Sequence, residues 1–164
     1  MYWDRILIDG AICSLIFSVL LVGSMLYNPR LWLQDMPADI QTLVPPKTPQ
    51  EKRATAILAI PLMAIMLGYP VVSALLAESQ QGLQMSFGQA FLHVYAVFMF
   101  FNAFDWLVID WGTMLFWKPQ WELYPGTRGA AGYKDYAFHF RGFLKGTVMG
   151  LIFSLPLAGL VMLI

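Results

Sequence analysis

The segment Phe101-Asn102-Ala103-Phe104-Asp105-Trp106-Leu107-Val108-Ile109-Asp110-Trp111 places two carboxylates in an otherwise apolar stretch. If one helix carries this stretch unbroken to Trp117, Asp105 lies about 18–20 Å from Lys118 at about 1.5 Å per residue. That depth is near the middle of a bilayer, where a carboxylate is costly unless it is protonated, paired or wet. Acids held that way bind protons, ions or polar ligands. The plainer alternative is an interfacial setting, because Trp106, Trp111 and Trp117 are what an aromatic belt is made of. On a straight helix, residues five apart differ by about 140° in direction, so Asp105 and Asp110 are expected not to share a proton. Asn102 and Asp105, three apart, share a face, and the Asn102 amide has a hydrogen bond to give. Counter-charges come from His139, Arg141 and Lys145. Lys145 is the expected partner of Asp110, because its long stem reaches along an interface; otherwise Arg141 and Lys145 simply mark a membrane boundary.

A second polar pair belongs to the other end of the chain's helices. Asp9 pairs either with Arg5, four residues earlier on the same helix, or with His93, near the start of the third apolar stretch. An Asp–His pair would respond to pH, whereas a buried polar pair with no such role is the bland reading. The two histidines, His93 and His139, are expected at opposite faces and cannot ligate one haem. With the lone Cys13 they give no zinc set, so neither a metal nor a cofactor is expected. Gly142, Gly146 and Gly150 form two overlapping GxxxG spacings, which open a flat groove for a close helix neighbour. That neighbour is either a partner or a helix of the same bundle. Milder small-residue spacings are Gly10, Ser14 and Ser18, and Ala64 with Gly68. The Asn102-x-x-Asp105 spacing invites comparison with the lipoprotein signal peptidases, but those need a second catalytic aspartate on another helix. The fourth apolar stretch has none, and the chain is not assigned to that family.

The elements that hold these residues follow from charge. Only 12 % of residues are charged and 59 % are apolar, against about 25 % charged in a soluble domain. Much of the surface is therefore expected to avoid water. Residues 10–29, 54–77, 79–104 and 146–164 carry no charge, and a helix needs roughly 20 apolar residues to cross a bilayer. The expected fold is an all-α, four-helix transmembrane bundle formed by the whole chain as one domain, with helices near 6–27, 54–77, 87–117 and 143–164. Pro61, Pro70 and Pro156 fall inside three of them and are expected to kink them. The N-terminal run is long enough to span, and its one basic residue, Arg5, is flanked by Asp4 and Asp9, so it is read as a helix rather than a leader. Residues 28–53 form a long irregular loop, with Leu31, Trp32 and Leu33 at the lipid–water boundary, and residues 118–141 form a second.

Nine of the ten basic residues (Arg30, Lys47, Lys52, Arg53, Lys118, Arg128, Lys134, Arg141 and Lys145) fall on the side of the two long loops, and only Arg5 on the other. By the positive-inside rule both loops are cytoplasmic and both termini extracytoplasmic, with a bacterial inner membrane the expected location. A net charge of zero suggests no nucleic-acid partner. Membrane lipids are the expected surroundings, with a homo-oligomer or membrane complex as a further partner. The leading functional expectation is a site around Asn102, Asp105 and Asp110 that binds or moves protons or a small polar or amphiphilic molecule. Two alternatives stand beside it: an accessory subunit docking through its glycine-rich fourth helix, and a membrane enzyme acting on lipid.

Overall fold

The computed structural model describes residues 2–116 and 118–164. Among these residues the chain is helical throughout its regular structure, and four helices are long and apolar enough to cross a membrane. The first, α1 (Trp3–Tyr27), begins three residues before the expected start. The following connection is not irregular. A 3-10 turn covers Pro29–Asp35, and a short helix, α2, covers Ala38–Leu43.

The second long helix starts at Pro49 rather than 54. Thr48 Oγ1 accepts from the Glu51 N–H while the Glu51 carboxylate accepts from the Thr48 N–H, and Pro49 supplies a fixed φ at a position whose N–H has no partner. The helix then runs as α3 (Pro49–Met63), a widened π turn (Ala64–Gly68) and α4 (Tyr69–Gln81). Pro70 cannot donate to the carbonyl four residues back and its ring crowds that carbonyl; the π turn immediately before it relieves both problems. Gly82, at φ +64°, closes α4 in a left-handed cap that a side chain would strain.

Ser86 and Gln89 form a second reciprocal cap at the start of α5 (Phe87–Phe104). A second π turn, Asp105–Asp110, leads into α6 (Trp111–Phe116). Trp117, expected to end this helix and join an aromatic belt, lies outside the described residues. The last helix, α7 (Tyr136–Val161), begins seven residues before the expected 143, because Asp135 Oδ1 caps the Phe138 N–H at 2.8 Å. Pro156 is accommodated within α7 without ending it.

Helix α5 is central and packs against α1, α4 and α7. The interior combines apolar residues such as Phe17, Leu21, Val94, Val97, Phe98 and Phe101 with the buried polar residues Asp9, Ser14, Ser73, His93 and Ser154. The outside is apolar. On α1, Leu15, Val19 and Leu26 are 60 %, 72 % and 83 % exposed, and on α7 Val148, Ile152 and Leu155 continue the same belt. Water would penalise such a continuous apolar surface, so the exterior is suited to a hydrocarbon solvent.

The two long connections fold onto each other as a cap at one end. Its small core is Leu33, Ile40, Val44, Tyr124 and Tyr133. Tyr124 is fully buried, and its hydroxyl donates to the Pro29 carbonyl at 3.0 Å. The Gly132 N–H donates to Asp39 Oδ2 at 2.8 Å, and a Cβ at Gly132 would collide with that carboxylate. Leu31 and Leu33, expected at a lipid boundary, are instead buried within the protein, and the Trp32 indole donates to Ser24 Oγ at 2.9 Å. Two of the basic residues tie the cap down. Arg30 binds Glu51 at 2.6 Å and the Pro45 and Pro46 carbonyls. The Lys47 ammonium donates to the Leu31 carbonyl, Gln34 and Thr55. The remaining seven basic residues on this side are exposed.

Candidate functional site

The π turn changes what Asp105 and Asp110 can do together. In it the Trp111 N–H reaches back five residues to the Trp106 carbonyl. A residue five positions on then sits one turn above its predecessor rather than about 140° around the axis. The straight helix on which the two acids would diverge is therefore absent, and the π turn brings them toward one side. Both are half-buried, and Asp105 lies within electrostatic reach of Asp110, His139 and Asp35.

Their partners also differ from expectation. Asp110 pairs with His139, whose Nδ1 lies 2.9 Å from Asp110 Oδ2. The early start of α7 is the cause, since it puts His139 on the helix and opposite the π turn. Lys145, the expected partner, is exposed, as is Arg141, and among the described residues neither forms an ion pair with Asp105 or Asp110. Asn102 does not serve Asp105 either. Its amide donates to the Phe143 carbonyl at 3.1 Å and to Thr147 Oγ1 at 3.3 Å, which uses both of its N–H groups. The Asp105 carboxyl is left without a hydrogen-bond donor or cation partner among the described residues.

Aromatic rings wall this end. Trp106 stacks on Phe143 at 4.5 Å, meets Trp111 edge-on at 4.7 Å and lies tilted against Phe140; Trp111 meets Tyr136 at 5.4 Å. The indole N–H groups of Trp106 and Trp111 are buried without a partner among the described residues. Two carboxylates, one imidazole and several ring faces make a setting that favours positive charge. Among the described residues no three His, Cys, Asp or Glu side chains converge as metal ligands.

The glycines of α7 face inward in part. A Cβ on Gly146 would land in the Asn102 amide and one on Gly150 in the Phe98 ring, whereas Gly142 faces open space. Gly146 and Gly150 therefore form, with Ser154 and Ala158, the seam by which α7 lies antiparallel on α5. Gly142 is not part of it.

At the opposite end Asp9 pairs directly with Arg5 and is linked to His93 through Ser73. Arg5 Nε lies 2.5 Å from Asp9 Oδ2, and Ser73 Oγ bridges that same oxygen, at 2.6 Å, to His93 Nε2, at 2.8 Å. Ser73, on α4, was invisible to sequence reasoning. A lone serine in the run Pro70-Val71-Val72-Ser73 carries no signal until α1, α4 and α5 are brought together. His93 and His139 are separated along the bundle by about 25 Å, since His139 lies opposite Asp110, at 1.5 Å per residue of α5.

Compared with protein-family models, curated proteins and solved structures, the chain has no match in any of the three.

Proposed function

We propose that this is a membrane-embedded binding protein whose site, at the Asp105–Asp110 turn, takes a small cation: a proton or the ammonium group of a small organic or amphiphilic molecule. The observation that carries the reading is the pairing of a held acid with a free one. Asp110 is fixed by His139, while Asp105, one turn away, has no donor of its own among the described residues. An incoming cation supplies what Asp105 lacks, and the rings of Trp106, Trp111 and Tyr136 add their own attraction for it. The turn lies toward the capped end, and the excess of exposed lysine and arginine there supports a cytoplasmic setting for it, with both termini extracytoplasmic.

The test is thermal unfolding in lipid nanodiscs with choline or methylammonium chloride, against sodium chloride at equal ionic strength. Wild type gains stability from the organic cations, and Asp105→Asn, which keeps the shape, does not. Equal responses from both proteins would sink the proposal. A lipid-modifying enzyme is the second reading, since it needs two converging acids, and the π turn supplies that convergence. It predicts that wild type, but not Asp105→Asn, generates a new lipid product from the nanodisc lipids. Docking of an accessory subunit through the glycines is favoured by nothing comparable, because Gly146 and Gly150 lie against α5 and only Gly142 is open.

A further inference from the structure

The Arg5–Asp9–Ser73–His93 chain fixes its own hydrogens. Asp9 Oδ2 accepts from Arg5 Nε, so the carboxylate is ionised and can only accept. Ser73 has one hydroxyl hydrogen, and it goes to Asp9. The contact between Ser73 Oγ and His93 Nε2 then requires the hydrogen to come from the imidazole. The imidazole therefore carries a hydrogen on Nε2, and in the neutral ring Nδ1 is then a bare lone pair. That nitrogen is buried without a partner, and His93 as a whole is 1 % exposed. A buried acceptor left unpaired is costly, so it favours a partner such as water.

The ring lines a cavity of about 60 Å³ together with Tyr2, Met85, Gln89 and Leu92. A water needs about 10–15 Å³ of such space, so the cavity has room for water. Gln89 is exposed, so the cavity abuts the surface at the termini end. The other groups acting on this chain are few. Tyr69 reaches Asp9 from α4, and Cys13 feels the same carboxylate from one turn along α1. The positive charge of Arg5 acts on His93.

We propose that this cavity is a proton-intake site, in which a hydrated proton is passed to Asp9 through His93 and Ser73. The transfer is a relay of three bonds. A hydronium in the cavity gives a proton to His93 Nδ1 and stays behind as water. The imidazole releases its Nε2 hydrogen to Ser73 Oγ, and Ser73 releases its original hydrogen to Asp9 Oδ2. The products are a neutral Asp9 carboxyl, a neutral His93 with its hydrogen on Nδ1, and a Ser73 hydroxyl turned toward Nε2. Arg5 loses its ion-pair partner, so the state of Asp9 is reported where Arg5 meets the surface. This inference does not depend on the acid pair at the far end.

The experiment is infrared spectroscopy after a rapid pH drop on the nanodisc-embedded protein, with Asp9→Asn identifying the Asp9 carboxyl band. In Ser73→Ala and His93→Gln, proton arrival at Asp9 slows by about 100-fold or more, the contribution typical of a positioned transfer group. His93→Gln keeps a donor for Ser73, so a structural role alone leaves its rate near wild type. ¹⁵N NMR of histidine-labelled wild type gives a reading independent of variant folding: His93 rests with its hydrogen on Nε2. Unchanged rates in both variants, an Asp9 that never protonates, or a resting hydrogen on Nδ1 each overturn the relay. None of these outcomes alters the choline response of Asp105, so the two proposals fail separately.

Discussion

Asn102 is the residue on which most of the loop-side geometry turns. It ties α5 to α7 through two hydrogen bonds, and its carbonyl side fills the space that Gly146 leaves by lacking a Cβ. Between lipid-facing helices such bonds are worth about 0.6–2 kcal/mol each, and a side chain forced into a filled seam costs about 1–3 kcal/mol. Gly146→Leu is therefore expected to destabilise the fold by about 1–3 kcal/mol or more, and Asn102→Ala by about 1–2 kcal/mol. Gly142→Leu is expected to be neutral, because open space surrounds that position. Unfolding titrations of the three variants in mixed micelles check the order. A destabilised Gly142→Leu beside an unaffected Gly146→Leu would mean that the seam runs along the other face.

At the scale of elements, the widened turn and the cap each make a prediction. A π turn holds one residue more than an α-helix needs for the same advance. Deleting Val108, which is 51 % exposed, leaves the two acids four apart, and residues four apart on an α-helix share a face. The deletion is expected to keep the His139 pairing and the choline response, while deletion of buried Val97 is expected to abolish both. Nanodisc unfolding with choline measures the difference, and equal damage from the two deletions would refute the account. The cap answers to pH through Tyr124. Burial, with Tyr133 alongside, holds its phenol above the usual range. An unfolded tyrosine releases its proton near pH 10, whereas the folded one retains it. Stability is thus fully present below about pH 10 and falls as pH rises beyond it. Tyr124→Phe loses the bond to the Pro29 carbonyl, a loss of about 0.5–1.5 kcal/mol, and removes Tyr124's share of the alkaline decline. Melting temperatures and tyrosinate absorbance from about pH 8 to 12 check both.

For the whole molecule, the exposed apolar belt and the charge asymmetry point the same way. The capped end gathers the basic residues, seven of them exposed, and charge bias of that kind sets orientation during insertion. A reporter fused to the C-terminus is expected to be active only when it requires an extracytoplasmic setting; fluorescence confined to the cytoplasm would reverse the assignment. The same organisation places the two polar sites at opposite ends of α5, with Val97, Phe98 and Phe101 buried between them.

The amino-acid sequence by itself determined the class of fold, because charge-free runs of this length have one way to satisfy their backbones out of water. It also named Asp9, His93, Asp105, Asp110 and His139 as the residues to watch, since polar groups stand out in apolar runs. Two helix starts were legible but missed. Thr48-Pro49-Gln50-Glu51 spells a capping box, and Asp135 precedes a helical run, yet a reading by hydropathy starts helices where charge ends. What only the tertiary structure decided is which polar groups meet. No proline or glycine marks Asp105–Asp110, and the turn's Trp106 and Trp111 pack against Phe140, Phe143 and Tyr136 of α7. Ser73 joined Asp9 to His93 because three helices converge there. Lys145 yielded to His139 because α7 begins early. Each outcome depends on contacts between residues far apart in the chain, and local spacing carries no record of them.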